Sequence, residues 1–172
     1  GAVSAGPRRP VRAVFCHYTA DVCGGSDRSL FDIVTHLPRD RFTPAMILKT
    51  GDPLAPEYRA RSVEVVELPL VSPRRALEWA KLGRYFLSYG PSVLRVAGVI
   101  RRLDADVVHV NTLYNLVGPV AARLAGRPLV WHVREMVEGS RAVAAMLWMV
   151  RRLAARAVAI SSAVAGTLAG CG

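Results

Sequence analysis

Three small residues in succession, Gly24, Gly25 and Ser26, stand between a strand-like segment and a helix-like segment. In an open parallel sheet, ligands bind beyond the carboxyl ends of the strands, where the next helix offers unpaired N–H groups and a positive dipole end. Glycines allow such a backbone to adopt positive φ values and to approach a ligand closely. The three residues are therefore suited to hold a phosphate or a sugar hydroxyl. A tight turn without any ligand would explain the two glycines equally well.

Three familiar phosphate sites fit this sequence poorly. Gly25 is followed by Ser, Asp, Arg and Ser, so the dinucleotide fingerprint G-x-G-x-x-G is missing, and so is the G-K-[ST] of a Walker loop. A receiver-type phosphoacceptor would need an aspartate at the end of the third predicted strand, where the chain has Leu-Pro-Leu. These three classes of site are therefore disfavoured.

Polar side chains also follow another predicted strand, where His132 comes just before Arg134 and Glu135. Histidine titrates near neutral pH and often moves protons in catalysis. His132 could therefore act on a ligand, or it could be a strand-end histidine with ordinary hydrogen bonds. Arg134 and Glu135 could bind an anionic group, or they could pair with each other.

A second predicted strand ends in Asn111 and Thr112, whose side chains could bond ligand hydroxyl groups. His109, inside the same apolar strand, is expected to be a hydrogen-bonded core residue. Ser161 and Ser162 follow the last predicted strand, and we expect a helix N-cap there in preference to a ligand contact.

Strand-like and helix-like segments alternate along the chain. The predicted strands span residues 11–18, 41–51, 63–70, 106–111, 128–135 and 158–161. The predicted helices span residues 27–37, 73–103 with a break at 90–91, 114–126, 140–157 and a last segment from 162. Helices of this length between strands favour parallel pairing with right-handed crossovers. The sequence therefore predicts a doubly wound, Rossmann-like, mostly parallel α/β sheet with helices on both faces. A flexible lead-in over residues 1–10 precedes one domain over residues 11–172.

The first predicted helix has clear boundary signals. Ser26 is the expected N-cap, and Pro38 is the expected stop. Between them, Leu30, Phe31 and Val34 fall on one face, which predicts an amphipathic helix.

Composition narrows the range of partners. The 172 residues are 52% hydrophobic and carry 23 basic against 13 acidic side chains, a net charge of +10. This balance favours anionic partners such as nucleotide phosphates or anionic lipid, while the 7% aromatic content gives nucleic acid little support. Three cysteines without metal-ligand spacing predict reduced thiols in the cytoplasm. The longest uncharged apolar run, residues 142–150, is too short to span a bilayer.

Four motifs then resemble, in order, those of the N-terminal half of GT-B glycosyltransferases of the retaining family 4. They are "GGS" after the first strand, "DVVHVN", "WHVRE" and "AVAISSAVA". The resemblance extends over residues 11–168. In that family, two Rossmann-like domains face each other across a cleft. The N-terminal domain mainly holds the acceptor, and the C-terminal domain holds most of the nucleotide-sugar donor.

The resemblance implies roles for individual residues. Gly24, Gly25 and Ser26 would contact the donor phosphates and the transferred sugar, and His132 would be catalytic. The acceptor-side candidates are Asn111, Thr112, Arg134 and Glu135. No cofactor is implied, because the nucleotide sugar is a substrate, and no metal ion is implied, because the sequence has no Asp-x-Asp at a predicted strand end. The family's donor-site basic residues and paired glutamates belong to a C-terminal half that this chain lacks. The chain alone is therefore expected to be inactive and to bind the donor weakly.

A basic, aromatic segment at residues 72–90 suggests a second kind of contact. Many members of the family act on lipid-linked or cell-envelope acceptors, and such helices dock on anionic lipid. The docking candidates are Arg74, Arg75, Trp79, Lys81 and Arg84. A solvated charged face over a packed aromatic stripe is the alternative. The expected location is the cytoplasm, with docking on the inner face of the membrane as the further option.

Two other functions remain open at this level. A non-catalytic Rossmann-like binding module fits the alternation and the charge equally well, but it requires the chain to be complete, whereas the final "LAGCG" resembles an unfinished helix. A sugar-nucleotide epimerase of the same two-domain architecture would need a pair of catalytic acids, which the sequence does not reveal.

Overall fold

The computed structural model of the chain describes residues 9–17, 24–70, 79–135 and 141–170. The strands are β1 (Val11–Cys16), β2 (Phe42–Lys49), β3 (Glu64–Leu68), β4 (Val107–Val110), β5 (Leu129–Val133) and β6 (Arg156–Ala159). The helices are α1 (Gly25–Thr35), α2 (Ala55–Ala60), α3 (Trp79–Arg102), α4 (Val117–Ala125), α5 (Arg141–Leu153) and α6 (Ser162–Gly170).

The six strands form one parallel sheet in the order β3-β2-β1-β4-β5-β6. The order reverses beside β1, because β2 and β3 lie on one side of it and β4 to β6 on the other. This is the doubly wound, Rossmann-like α/β fold that the sequence predicts. Ligand sites in such sheets lie at this reversal, beyond the carboxyl ends of the strands.

Both faces of the sheet are buried, which explains the near-continuous apolar strands. On β1, Ala13 and Phe15 pack with α1 and α2, whereas Val14 and Cys16 pack with α3 and α4 on the opposite face. The two clusters leave few positions for polar residues inside the sheet. Polar side chains are therefore concentrated where the strands end.

Helix α3 corrects one prediction, because it continues through Gly90 and Pro91 where a break was expected. An internal proline removes one helical hydrogen bond and costs about 3 kcal/mol. The carbonyl that loses its partner belongs to Leu87, which is exposed, so water can satisfy it. The helix beyond the proline buries Val96 and Ile100 completely, and this packing maintains it.

The boundary between helix α5 and strand β6 also differs from the prediction. The helix ends at Leu153 and not at 157, and the strand begins at Arg156 and not at 158. The Ala155 N–H donates to the carbonyl of Leu129 at 2.8 Å, which starts the pairing with β5. The segment "AARA" has helix-forming residues, but parallel pairing along β5 prevails over this local preference.

The ends of α1 and α4 also differ from the prediction. The N-cap of α1 is Gly24 and not Ser26, and the helix ends at Thr35, three residues before Pro38. Helix α4 begins at Val117 and not at 114, because the Asn115 side chain accepts a hydrogen bond from the Gly118 N–H at 2.9 Å. Side-chain caps of this kind favour a turn over an earlier helix start.

Candidate functional site at the carboxyl edge of the sheet

The glycine turn leads directly into α1, as predicted, but its backbone is not strained. Gly24 has φ −100° and ψ 178°, an extended conformation open to any residue, and Gly25 is the first residue of the helix. Among the described glycines, positive φ values occur at Gly51 and Gly126. The expectation of positive φ at the turn is therefore wrong. What the glycines provide is space: a Cβ atom at Gly25 would have no neighbour within 4 Å.

Beneath the turn lies a buried pair that the sequence analysis did not single out. His17 Nε2 lies 2.6 Å from Asp27 Oδ1, and the Gly24 N–H donates to Asp27 Oδ2 at 2.6 Å. Burial opposes ionisation of Asp27, but the hydrogen bonds from His17, Gly24 and Ser26 outweigh it and hold the pKa of this carboxyl below its usual range. The signals available were a histidine directly after β1 and an acid at the third helical position.

His132 lies near the carboxyl end of β5 and is half-buried. Its ring meets the ring of His109 edge to face, with centroids 5.8 Å apart. Burial lowers the pKa of His132, the charge of Arg134 lowers it further, and Glu135 partly opposes the shift. The imidazole is therefore predominantly neutral at pH 7 and can accept a proton or a hydrogen bond.

His109 differs from its expected role. It was expected to be hydrogen-bonded, yet its Nδ1 is buried without any partner, and its ring packs 5.0 Å from Phe15. Burial lowers the pKa of His109 to about 4, with smaller contributions from His132, His17 and Arg134. His109 is consequently a neutral support for His132.

Glu135 is held by the loop that follows β4. Its carboxylate accepts hydrogen bonds from the Thr112 hydroxyl, from the Leu113 N–H at 3.0 Å and from the Arg134 N–H at 3.2 Å. The Trp131 indole N–H also donates to the Thr112 carbonyl, at 2.9 Å. These bonds join the ends of β4 and β5.

Arg134 connects the end of β5 to α1. Its guanidinium donates to the Ser29 hydroxyl at 3.2 Å, while Glu135 takes its own hydrogen bonds from the loop. The two side chains therefore have different partners, which disfavours the alternative that they only pair with each other. The cation of Arg134 thus lies beside the first turns of α1, and both a guanidinium and a helix N-terminus favour an anionic group.

Asn111 is buried beneath the glycine turn. Its side-chain N–H donates to the Ser26 carbonyl at 3.4 Å, whereas its Oδ1 is buried without a partner. Only 1% of Asn111 is exposed, so this residue supports the turn more directly than it could reach an acceptor. Farther along the edge, the Ser161 hydroxyl accepts from the Val164 N–H at 3.3 Å, which confirms the expected helix cap.

The proposed docking residues are only partly within the described chain. Arg74 and Arg75 lie outside the described residues. Trp79, Lys81 and Arg84 lie on the first turns of α3. Within the described ranges, none of the helices has an apolar stretch long enough to cross a membrane, and no cluster of His, Cys, Asp and Glu side chains could hold a metal ion.

The parallel sheet, with its strand order reversing beside β1, defines a Rossmann-like α/β domain. The chain belongs to Glycosyltransferase Family 4, whose family model matches residues 23–172. No curated protein matches it significantly in sequence.

Solved structures show the same fold. HepE from Anabaena, determined in complex with UDP, is 20% identical with a TM-score of 0.69, and the match covers 94% of this chain and 41% of HepE. MurG from Acinetobacter baumannii is 13% identical with a TM-score of 0.61, covering 90% of this chain and 42% of MurG. A protein described as a UDP-N-acetylglucosamine 2-epimerase from Listeria monocytogenes is 9% identical with a TM-score of 0.64. The match covers 95% of this chain and 42% of the Listeria protein. The chain thus spans about two fifths of each neighbour and has the fold of the N-terminal half of a GT-B glycosyltransferase.

Proposed function

We propose that this chain is the acceptor-side domain of a retaining glycosyltransferase that transfers a sugar from a nucleotide-sugar donor. One observation carries the proposal: the glycine turn, the half-buried His132 and the Arg134 guanidinium lie at one edge of the sheet, beside its reversal point. The crystal structure of HepE with UDP and glucose supports a donor of this chemical class. Retention follows from the family.

Each of these groups has a role in this proposal. The first N–H groups of α1 have no intrahelical partner, and they bind donor phosphate or sugar oxygens together with Ser26. His132 is neutral at pH 7 and bonds the acceptor hydroxyl or the transferred sugar, assisting proton movement. Arg134 stabilises negative charge beside them, and Thr112 and Glu135 hold the neighbouring loop on the acceptor side.

The acceptor-side domain is not expected to turn over substrate by itself. In the neighbours the match covers about two fifths of the chain, so the proposed enzyme needs a further, donor-side domain. We therefore expect the purified chain to bind UDP-glucose at millimolar concentrations without releasing or transferring the sugar. Measurable turnover by the purified chain would contradict this part of the proposal.

Binding variants test the site directly. Arg134→Ala removes a charge-assisted hydrogen-bond donor and is expected to raise the dissociation constant for UDP-glucose about tenfold. Arg123→Ala is the matched control, because Arg123 lies exposed on α4. Calorimetry or NMR titration supplies both constants. Equal weakening by the two variants would indicate non-specific attraction to the net charge of +10 and would contradict the site.

We also propose that the start of α3 docks on anionic membranes, so that the enzyme meets a lipid-linked or cell-envelope acceptor there. The support is an exposed apolar ridge on this helix, where Leu87 is 79% and Leu94 is 64% exposed. They are seven residues apart and so share one helical face. Basic residues 74, 75, 81 and 84 precede this ridge in the sequence.

Vesicle sedimentation tests the docking proposal. Reversing Arg74 and Arg75 to Glu is expected to weaken binding to phosphatidylglycerol vesicles by about tenfold or more, since each basic residue near the surface contributes about 1 kcal/mol. The control variant reverses the charge of Arg95 and Arg102 in the same way, by substitution with Glu, because both are exposed farther along α3. If both double variants bind alike, or if phosphatidylcholine vesicles bind the chain equally well, the docking proposal is wrong.

A further inference from the structure

We propose that His17 and Asp27 are positioning residues that fix the glycine turn in its ligand-binding geometry. This inference rests on the proposed function, since the turn matters to catalysis only if it contacts the donor. Neither residue is expected to touch substrate. They act through the backbone of Gly24, at the point where β1 gives way to α1.

The two carboxylate oxygens of Asp27 have different partners. Oδ2 accepts the N–H of Gly24 at 2.6 Å, and Oδ1 meets His17 Nε2 at 2.6 Å. The backbone N–H of His17 donates to the Ile47 carbonyl on β2 at 3.1 Å. A chain of hydrogen bonds therefore runs from the glycine turn through Asp27 and His17 into the central strands.

This arrangement does more than cap a helix. An acid at the third helical position commonly accepts the N-cap N–H and stabilises the first turn of the helix. One oxygen is sufficient for that purpose. The second oxygen faces a histidine that is 4% exposed, and Asp27 itself is 5% exposed, so the carboxylate is fixed in rotation as well as in position.

The glycine turn needs such an external restraint. Gly24 has an extended backbone and no Cβ atom to restrict it, and Gly25 has open space where a Cβ would be. Asn111 adds only a long hydrogen bond of 3.4 Å to the Ser26 carbonyl. Asp27 is therefore the strongest described restraint on the N-cap residue Gly24, from which the first N–H groups of α1 follow.

The test measures the turn and the ligand separately. Hydrogen exchange at the Gly24 amide reports the restraint, and the dissociation constant for UDP-glucose reports its effect on binding. Asp27→Ala is expected to speed hydrogen exchange at the Gly24 amide about tenfold or more and to raise the dissociation constant for UDP-glucose by a similar factor. Asp27→Asn and His17→Gln, which keep part of the network, should give smaller changes in the same direction. Asp32→Ala, at an exposed position of the same helix, should change neither quantity.

The outcomes separate this inference from the proposed function. If Asp27→Ala leaves both quantities at the level of the unaltered chain, the inference is overturned. Faster exchange with unchanged affinity would also overturn it, because it would leave only a helix cap. If the unaltered chain binds no UDP-glucose, the proposed donor contact fails, and exchange at Gly24 still decides whether the restraint exists. Should Asp27→Ala not fold, Asp27→Asn and His17→Gln provide the same comparison.

Discussion

The two edges of the sheet use charged side chains in opposite ways. At the carboxyl edge, His17 and Asp27 form a pair that is almost fully buried. At the amino edge, Arg12 pairs with Glu64 at 3.0 Å and Arg9 with Asp106 at 2.7 Å, and all four side chains are at least 29% exposed. Exposed pairs contribute about 0–1 kcal/mol, whereas removing one partner of a buried pair leaves the other partner buried without its hydrogen bond.

The two edges also differ in the polar groups that they present to a ligand. The amino edge carries a shallow cleft of about 320 Å³, lined by residues that include Arg12, Arg39 and Glu64. Of its two cations, Arg12 is paired with Glu64 and Arg39 donates to the Arg61 carbonyl, and no histidine is among the described residues that line the cleft. The carboxyl edge has three histidines and buried polar groups without partners.

The largest expected effect comes from removing one member of the buried pair. Asp27→Ala should lower the free energy of unfolding by about 3 kcal/mol, because it leaves His17 buried beside an apolar residue. Glu64→Ala is the control at the amino edge and should cost less than about 1 kcal/mol. Urea denaturation measures both. Equal losses would remove the contrast between the two edges.

The histidines of the carboxyl edge predict a pH dependence. The folded-state pKa of His109 is lowered to about 4 from an ordinary value near 6.5, so the unfolded chain binds more protons between these values. Stability from this residue is fully present above pH 6.5 and is lost as the pH falls towards 4, by about 3 kcal/mol in total. Denaturation across this range, compared with His109→Gln, measures it. An identical pH profile in the variant would show that His109 is not the source.

Close packing at the carboxyl edge predicts a smaller effect at Gly118. A Cβ there would lie 2.8 Å from the Val110 side chain and 3.2 Å from Asn115, so Gly118→Ala should cost about 1–3 kcal/mol. Gly98 lies exposed on α3, where an added Cβ would have no neighbour within 4 Å, and Gly98→Ala should stabilise by up to about 1 kcal/mol. Thermal unfolding distinguishes them, and a loss of stability at both positions would contradict the packing argument.

The smallest expected effect comes from breaking an exposed ion pair at the amino edge. Arg9→Ala breaks a pair with Asp106 whose side chains are 63% and 30% exposed, and it should change the unfolding free energy by less than about 1 kcal/mol. This small difference should fade in 1 M salt, because exposed charges are screened. A large effect that persists in high salt would mean that the two edges are less different than their exposure suggests.

Much of the fold could be predicted from local patterns. The apolar strands, the amphipathic α1 and the alternation of elements are properties of neighbouring residues, and all six strands lie near their predicted positions. The predicted element boundaries are wrong where the structure depends on contacts between residues that are distant in the sequence. Packing of Val96 and Ile100 keeps α3 helical through Pro91, and pairing with β5 draws Arg156 into β6.

The candidate site was predicted only in outline. His132 and the glycine turn could be placed at the carboxyl edge because parallel strands end together. The bond between His17 and Asp27 joins residues ten positions apart across a turn, and no periodicity reveals it. The choice of partner by Arg134, which is Ser29 and not Glu135, likewise depends on how α1 packs beside β5.

The most direct test of the account is an amide chemical-shift map of the isotope-labelled chain titrated with UDP-glucose to millimolar concentration. If the site lies at the carboxyl edge, the shifts concentrate at Gly24, Gly25, Ser26, His132 and Arg134, and the cleft at Arg12 and Arg39 is unchanged. Shifts centred on that cleft, or none at the carboxyl edge, would contradict the assignment of the sugar-transfer site to this edge.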